Sequence, residues 1–314
     1  MKLETVCVIG GSGFVGRHIV HRLAGERVRV RVPTRHRESV KDELILLPTA
    51  DVMDADVHDP ATLDRVVAGC DAVIHLVGIL HAGKGGGFER VHTELPRKVI
   101  EACQRNGVRR YVHMSALNAS PDGPSAYLRS KGEAEKLVRA SQLDWTIFRP
   151  SVIFGRGDSF LNMFATTLKL APVLPLACPN ARFQPVWVED VAQAFTGCLT
   201  DSRTFGQSYD LCGPKVYTLR ELVEYVGRVI GKPRPVIGLN DRLSYLQAWM
   251  MEFSPVKVMT RDNYYSMKID SVCGCDFPAV FGFQPTAIEA VVPEYLGGLT
   301  PRARYKEFRD RAGR

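Results

Sequence analysis

The stretch VCVIGGSGFVGRHIV, residues 6–20, constrains the fold more than any other part of the chain. A β-branched apolar run leads into a glycine-rich turn, and a helical run follows. The glycines fit both G-x-G-x-x-G and G-x-x-G-x-x-G spacing. In a strand–turn–helix unit they permit the tight turn, the close approach of backbone to a pyrophosphate, and close packing of helix on strand. We therefore predict a dinucleotide site formed by Gly10, Gly11, Ser12, Gly13, Phe14, Val15 and Gly16.

Short β-branched runs alternate with helical runs up to about residue 210. This alternation predicts an α/β fold, a doubly wound Rossmann parallel sheet over residues 1–210. Gly25, Gly69 and Gly107 follow helical runs and are expected to end those helices. The rhythm then changes to helical segments and proline-containing loops. We interpret residues 211–300 as a smaller, mainly helical C-terminal lobe for substrate or partner, with residues 151–185 contributing to the substrate site.

The second predicted strand indicates which dinucleotide is bound. NAD-binding chains usually place Asp or Glu near its end for the ribose 2′-hydroxyl. Here the strand runs into Arg35 and Arg37, and the first acid is Glu38. A guanidinium at Arg35 suits a 2′-phosphate. NADP(H) is therefore favoured over NAD(H), although two exposed loop arginines would look the same in the sequence.

Composition and charge exclude several classes of protein. The net charge is +7, and residues 301–314 form a basic tail with six Lys/Arg and two Asp/Glu. Such a tail suits peripheral contact with the inner face of a membrane or with a partner, or solubilisation alone. No nucleic-acid-binding motif accompanies it. We find no signal segment or membrane span, and we predict a cytoplasmic protein with eight reduced cysteines and no metal.

The chain resembles the short-chain dehydrogenase/reductase superfamily, particularly its extended members related to nucleoside-diphosphate-sugar epimerases. The segments that carry this resemblance are GGSGFVG (10–16), Asp56 with Val57, HLVG (75–78), Ser115, Tyr127 with Lys131, RPSVIFG (149–155) and PVWVEDVA (185–192). More narrowly, HMSALNASPDGPSAYLRSKGEAE is similar to the branch that contains the NADPH-binding accessory subunit of respiratory complex I and its bacterial relatives.

The resemblance implies roles for several residues at the cofactor. Asp56 and Val57 are expected at the adenine, Gly78 near the adenosine ribose, and Pro150 with Ser151 near the nicotinamide. A further position, Asp190, is expected to have a structural role.

The resemblance also implies a catalytic set of Ser115, Tyr127 and Lys131. Tyr127 and Lys131 are four residues apart and would share one helix face. Lys131 would hold the nicotinamide ribose, and together with oxidised nicotinamide it would lower the pKa of Tyr127. The same two residues would also serve a cofactor site without turnover. Tyr264 and Lys268 repeat the spacing outside this context, and we interpret Tyr264 as a packing or surface residue.

The candidate substrate lobe is apolar, since Trp249, Met250, Met251 and Phe253 lie close together. Such residues at helical spacing form a core more often than a pocket. Three functions remain open at this point. They are an NADP(H)-dependent oxidoreductase of an apolar carbonyl or quinone-like compound, a non-catalytic NADP(H)-binding protein of a respiratory or quinone-synthesis complex, and a sugar-nucleotide epimerase or dehydratase.

Overall fold

A computed structural model describes residues 3–38, 44, 46–81, 87–254 and 258–297. The predicted basic tail, residues 301–314, lies outside the described residues. The described chain divides into two compact units. The first contains residues up to 150, 188–211 and 275–283, and the second contains residues 151–187, 212–274 and 284–297.

The first unit is built on a seven-stranded sheet whose neighbouring strands are all parallel. The strand order β11-β6-β5-β4-β1-β2-β3 reverses direction beside β1, as in doubly wound folds. The predicted Rossmann sheet is therefore confirmed. Its strands are β1 (Thr5–Ile9), β2 (Arg29–Thr34), β3 (Ala50–Asp54), β4 (Ala72–His75), β5 (Arg110–Met114), β6 (Asp144–Pro150) and β11 (Gln207–Leu211).

Two groups of helices flank this sheet. In the first group α1 packs against α6, and in the second group α2, α3 and α4 pack side by side. A core of Val, Leu, Ile, Ala and Cys side chains lies between the sheet and the second group. The helices are α1 (Phe14–Gly25), α2 (Pro60–Val67), α3 (Leu95–Arg105), α4 (Ala126–Ala140) and α6 (Val188–Gly197), with a π-helix at Glu89–Glu94 and 3₁₀ turns at Ser202–Thr204 and Ala279–Phe281.

The three predicted helix ends are confirmed. Gly69 and Gly107 adopt φ values of +69° and +70° just after α2 and α3. Gly25 is the last residue of α1, and the left-handed position after that helix falls on Arg27, with φ of +61°.

The second unit is mainly helical and has its own apolar core. Three two-stranded pairs accompany its helices: β7 with β10, β8 with β13, and β9 with β12. The strands are β7 (Ile153–Phe154), β8 (Leu174–Leu176), β9 (Arg182–Phe183), β10 (Val186–Trp187), β12 (Tyr217–Thr218) and β13 (Val236–Gly238). The helices are α5 (Phe160–Leu170), α7 (Leu219–Val229), α8 (Asp241–Met251), α9 (Arg261–Ser266) and α10 (Ile288–Tyr295).

The expectation that all eight cysteines are reduced is wrong. Cys212 and Cys273 form a disulfide with their Cα atoms 6.1 Å apart. Gln184 holds the two ends of this cross-link together: its side-chain amide donates to the carbonyl of Gly213, and its side-chain oxygen accepts from the Cys273 amide. The 61-residue separation hides the pairing from local sequence patterns.

The apolar residues around position 250 are not core residues. Trp249, Met250 and Phe253 are 42%, 55% and 74% exposed. These apolar residues therefore do not form a core, which is the more frequent role of apolar residues at helical spacing. No helix in the described part of the chain is long and apolar enough to cross a membrane.

Candidate functional site

The glycine turn between β1 and α1 is shaped by one very close backbone contact. A Cβ atom on Gly16 would lie 2.3 Å from the carbonyl oxygen of Gly10 and 2.6 Å from the Cα of Gly11. Gly10 itself has a φ of +89°, and its carbonyl accepts a hydrogen bond from the Gly13 amide at 3.0 Å. The first turn of α1 therefore lies directly against the preceding loop.

The N-terminus of α1 is suited to an anion. Gly13 caps the helix without a side chain, and no acidic residue lies in the first turn. Amides at a helix start have no intrahelical acceptor and attract phosphate. Phe14 packs edge-on against His18, and Val15 is buried. These two side chains anchor the helical end of the loop formed by residues 10–16. These residues fit the pyrophosphate of a dinucleotide.

A positive region lies at the ends of β2 and β3. Arg35 directly follows β2 and is exposed. Burial first, and then the charge of Arg90, lower the pKa of His58; Asp56 opposes this shift, and Lys98 and Arg35 add smaller lowering effects. These cations are therefore close enough to act on one imidazole. Arg90 lies in the π-helix, far from Arg35 in sequence, and sequence reasoning missed it.

Asp56 and Val57 follow β3 and have different surroundings. The Asp56 carboxylate is exposed and accepts a hydrogen bond from the His58 amide at 3.0 Å. Val57 packs against the core of the first unit. Asp56 therefore presents a polar group beside an apolar one, a combination that suits the edge and face of an adenine.

The helix that carries Tyr127 and Lys131 starts at a side-chain cap. The Ser125 hydroxyl accepts a hydrogen bond from the Leu128 amide at 3.1 Å, which begins α4 at Ala126. Tyr127 and Lys131 then lie one turn apart. The cap sets where the helix begins, and the spacing of four residues then puts both side chains on the predicted shared face.

Lys131, on α4, is a buried cation whose ammonium group lies beside the end of β5. Its side chain is only 3% exposed, and Nζ donates to the Met114 carbonyl at 3.1 Å. A Cβ on Gly78 would lie 3.2 Å from Nζ, so this glycine leaves room for the ammonium. Burial lowers the pKa of Lys131 from 10.5 to about 8, although Glu135 opposes the shift.

The Tyr127 ring lies among other aromatic rings. It packs edge-on against Phe88 and His92, with centroids 6.0 and 5.6 Å apart. Burial raises the pKa of Tyr127 to about 12, because removing the phenol from water disfavours the phenolate. Tyr127 is therefore a neutral phenol at physiological pH. The lowering expected from Lys131 together with oxidised nicotinamide stays a prediction.

Ser115 is a buried hydroxyl at the same edge of the sheet. It directly follows β5, is 3% exposed, and its amide donates to the Phe148 carbonyl at 2.7 Å. Within the described part of the chain its Oγ has no hydrogen-bond partner. Buried hydroxyls in folded proteins usually have one, so this atom is suited to a ligand oxygen.

His92 is a site residue that the sequence did not reveal. Its Nε2 accepts from the Ile79 amide at 2.9 Å, which places the proton on Nδ1. Nδ1 then donates to the Ser130 hydroxyl at 2.9 Å, and that hydroxyl donates to the Tyr127 carbonyl at 2.8 Å. Burial, followed by the charge of Lys131, lowers the pKa of His92 to about 2.

Two further histidines lie together in the sheet. His75 and His113 are register partners on β4 and β5, and the Tyr111 hydroxyl lies 3.1 and 3.3 Å from their Nδ1 atoms. Burial and the charge of Lys131 lower the pKa of His75 to about 3. The histidines near Lys131 are therefore neutral, and no sequence spacing could have indicated this cluster.

Pro150 belongs to the first unit and Ser151 to the second. Pro150 ends β6, and its carbonyl accepts from the Leu117 amide at 3.0 Å. In the second unit the Ser151 hydroxyl donates to the Ser271 carbonyl at 2.8 Å. The Asp190 side chain is buried in the first unit.

Comparison with known proteins places this geometry in a family. A family model described as NAD(P)H-binding matches residues 10–159. The alpha subcomplex subunit 9 of mitochondrial NADH dehydrogenase (ubiquinone) from Mus musculus is 32% identical over 92% of this chain and 78% of its own length. The ceramide reductase of Caulobacter vibrioides is 32% identical over 78% of each chain. A Staphylococcus aureus nucleoside-diphosphate-sugar epimerase shares the fold, with a TM-score of 0.72, 16% identity, and coverage of 93% of this chain and 99% of its own.

The fold and the glycine turn define an NAD(P)H-binding protein of the epimerase/dehydratase-like short-chain dehydrogenase/reductase class. Within that class, the chain belongs to the family that contains the complex I subunit and the ceramide reductase. The predicted resemblance is therefore confirmed.

The contact at Gly16 gives a prediction with a control in the same helix. Gly16→Ala should weaken NADPH binding at least tenfold, because the methyl group would displace the turn from the helix start. Gly25→Ala should change neither binding nor folding adversely, because nothing lies within 4 Å of its added Cβ. Fluorescence titration with NADPH measures both. Equal affinity in the two variants would contradict a role for the close contact.

Burial of Lys131 predicts a pH dependence of stability. The folded-state pKa of about 8 lies below the unfolded value of 10.5, so stability should increase as pH rises between these values. Lys131→Met should remove that increase. At pH 7 it should raise the free energy of unfolding by up to about 3 kcal/mol, at ~1.4 kcal/mol per pKa unit, while NADPH binding weakens. Urea unfolding at pH 7 and pH 10 tests this, and a less stable variant at pH 7 would disprove it.

Proposed function

We propose that this protein is an NADP(H)-dependent reductase of an apolar carbonyl or quinone-like compound. The observation that carries the proposal is the Ser115 hydroxyl, which is buried and has no hydrogen-bond partner in the described part of the chain. Ser115 directly follows Met114, whose carbonyl accepts a hydrogen bond from Lys131 on the helix that also carries Tyr127. These three side chains would act together on one substrate oxygen atom. This combination is what carbonyl reduction needs.

The state of Tyr127 supports reduction over oxidation. A reductase must donate a proton to the substrate oxygen as that oxygen gains negative charge. With its pKa at about 12, the Tyr127 phenol carries this proton throughout the physiological range. Ser115 would donate a hydrogen bond to the same oxygen. Lys131 would bind the ribose hydroxyls and stabilise the phenolate once the proton has left.

The cofactor supplies the hydride when it is bound. Residues 10–16 would hold its pyrophosphate, Asp56 and Val57 its adenine, Gly78 with Lys131 its riboses, and Pro150 with Ser151 its nicotinamide. Arg35 and Arg90 would bind the 2′-phosphate that distinguishes NADP(H) from NAD(H).

Two observations support an apolar substrate. The Caulobacter relative is named as a reductase of ceramide, which is a lipid. A sugar nucleotide would need a further positioned acid and base, and after Ser115 the sequence offers no carboxylate before Asp122. Epimerase or dehydratase chemistry is therefore the weakest of the three readings.

A second candidate function is favoured by the relationship with the mouse complex I subunit, which covers 78% of that protein. In this reading the chain binds NADP(H) as a non-catalytic part of a respiratory or quinone-synthesis complex. Both candidate functions are consistent with a cytoplasmic protein that the basic residues 301–314 hold at the inner face of a membrane. Those residues lie outside the described part of the chain.

Exchange of charge at Arg35 tests the cofactor preference. Arg35→Asp should weaken NADPH binding at least tenfold and leave NADH binding within about twofold, because only NADPH carries a 2′-phosphate that the new carboxylate would repel. Arg65→Asp makes the same change of charge at an exposed position of α2 and should alter neither affinity. Isothermal titration with each cofactor measures the difference. Equal losses for NADPH and NADH would rule out the 2′-phosphate contact.

Removal of the Tyr127 hydroxyl tests catalysis. Tyr127→Phe should lower NADPH oxidation with long-chain ketones or quinones by about 10²-fold or more, with NADPH affinity retained. Tyr264→Phe is the matched control, because Tyr264 also precedes a lysine by four residues but donates to Asp241 in the second unit. Turnover that survives in Tyr127→Phe would refute the acid role. Tight NADPH binding without turnover in the unaltered protein would favour the second candidate.

A further inference from the structure

Helix α8 has its large apolar side chains on the outside. Its buried residues are Ser244 and Ala248, which are 1% and 0% exposed. Leu246 and Met250 lie on the opposite side, because a separation of two residues turns the helix by about 200°. They are 45% and 55% exposed. Leu243 and Trp249, at 47% and 42%, lie at the margins of the same face.

The orientation of α8 is fixed by hydrogen bonds from its small-residue side. The Ser244 hydroxyl accepts from the Cys178 amide at 3.1 Å, and the Gln247 side chain donates to the Pro175 carbonyl at 3.0 Å. The Asn240 side chain caps the first turn. The outward apolar face is therefore a stable feature of the second unit.

The apolar face continues beyond the end of the helix. Phe253 is 74% exposed, and its ring meets that of Trp249 edge-on with centroids 5.2 Å apart. We refer to Leu243, Leu246, Trp249, Met250 and Phe253 as the α8 face. Single exposed apolar residues are ordinary in proteins, whereas these five are grouped on one side of a single helix and at its end.

The charges around the α8 face favour an anionic contact surface. The two acids at the helix ends are neutralised, Asp241 by Lys268 and Glu252 by Arg261. Arg242 lies on the exposed side of the first turn, and no ion pair of Arg242 occurs among the residues described. The face is therefore apolar with a net positive border.

The size of the α8 face argues against a stable dimer as the occupant. Eleven residues of helix extend about 16 Å, with a width of about 10 Å. The footprint is thus on the order of 200 Å², whereas a standard interface buries about 800 Å² on each partner. A lipid surface has no such minimum area. Leu, Met and Phe can enter the acyl boundary of a membrane, and a Trp with an adjoining cation suits the level of the headgroups.

We propose that the α8 face inserts into the interfacial layer of an anionic lipid bilayer. Leu246, Met250 and Phe253 enter the acyl boundary, Trp249 lies at the level of the headgroups, and Arg242 contacts lipid phosphate. This contact goes beyond the reductase activity, which does not require it. It also differs from a tail-mediated contact, because it depends on apolar side chains rather than on net charge.

Vesicle flotation with the full chain tests this contact without cofactor or substrate. The unaltered protein should float with vesicles of phosphatidylcholine mixed with phosphatidylglycerol. The double variant L246S/M250S should bind at least tenfold more weakly. Leu46→Ser is the control, because Leu46 is 84% exposed but lies in the first unit. It should float like the unaltered protein, and Arg242→Gln should bind the mixed vesicles less tightly than the unaltered protein does.

Tryptophan emission provides a readout that does not depend on the folding of the double variant. The unaltered protein should show a blue shift on addition of mixed vesicles, and Trp249→Phe should lose that shift. The proposal is overturned if the unaltered protein does not float, or if L246S/M250S floats equally well, as it would if residues 301–314 alone bound lipid. It is also overturned if light scattering shows a dimer that L246S/M250S converts to a monomer and that does not bind vesicles.

Discussion

The contact between Gly16 and the carbonyl of Gly10 is the constraint on which the first unit depends. At 2.3 Å from that oxygen there is no space for a Cβ atom, so the first turn of α1 can lie against the loop after β1 only with glycine at position 16. The contact fixes where the amides at the start of α1 point. It also brings α1 down onto the sheet, where its buried side chains Ile19, Val20 and Leu23 complete the packing with β1.

The electrostatics of the candidate site follow from burial more than from ion pairing. Lys131 retains its hydrogen bond to Met114, but the histidines around it are neutral, and its pKa falls to about 8. Tyr127 moves in the opposite sense, to about 12. The described site thus combines a phenol that stays neutral with a buried ammonium whose charged form is destabilised, and both effects come from burial. The His92 hydrogen bonds link the Ile79 amide to the carbonyl of Tyr127 through Ser130.

The family contains both a reductase and a subunit of a respiratory complex. In the reductase that we propose, the glycine turn and Lys131 would bind the dinucleotide, and turnover would also need Ser115 and Tyr127. The exposed α8 face is a separate feature of the second unit, and its outward apolar side chains would serve either an enzyme of a lipid substrate or a protein held at a membrane.

The sequence by itself determined the parallel sheet, the glycine turn and the face shared by Tyr127 and Lys131, because each depends on residues a few positions apart. The dinucleotide-binding class followed from these local patterns. Tertiary structure alone decided the rest. His92 lies 35 residues before Tyr127, and Cys212 lies 61 residues before Cys273, so no local spacing connects them. Whether Trp249 and Met250 face a core or solvent also depends on what packs against α8. Burial, and with it the pKa of Tyr127, is a property of the assembled fold because desolvation depends on neighbours from several distant segments.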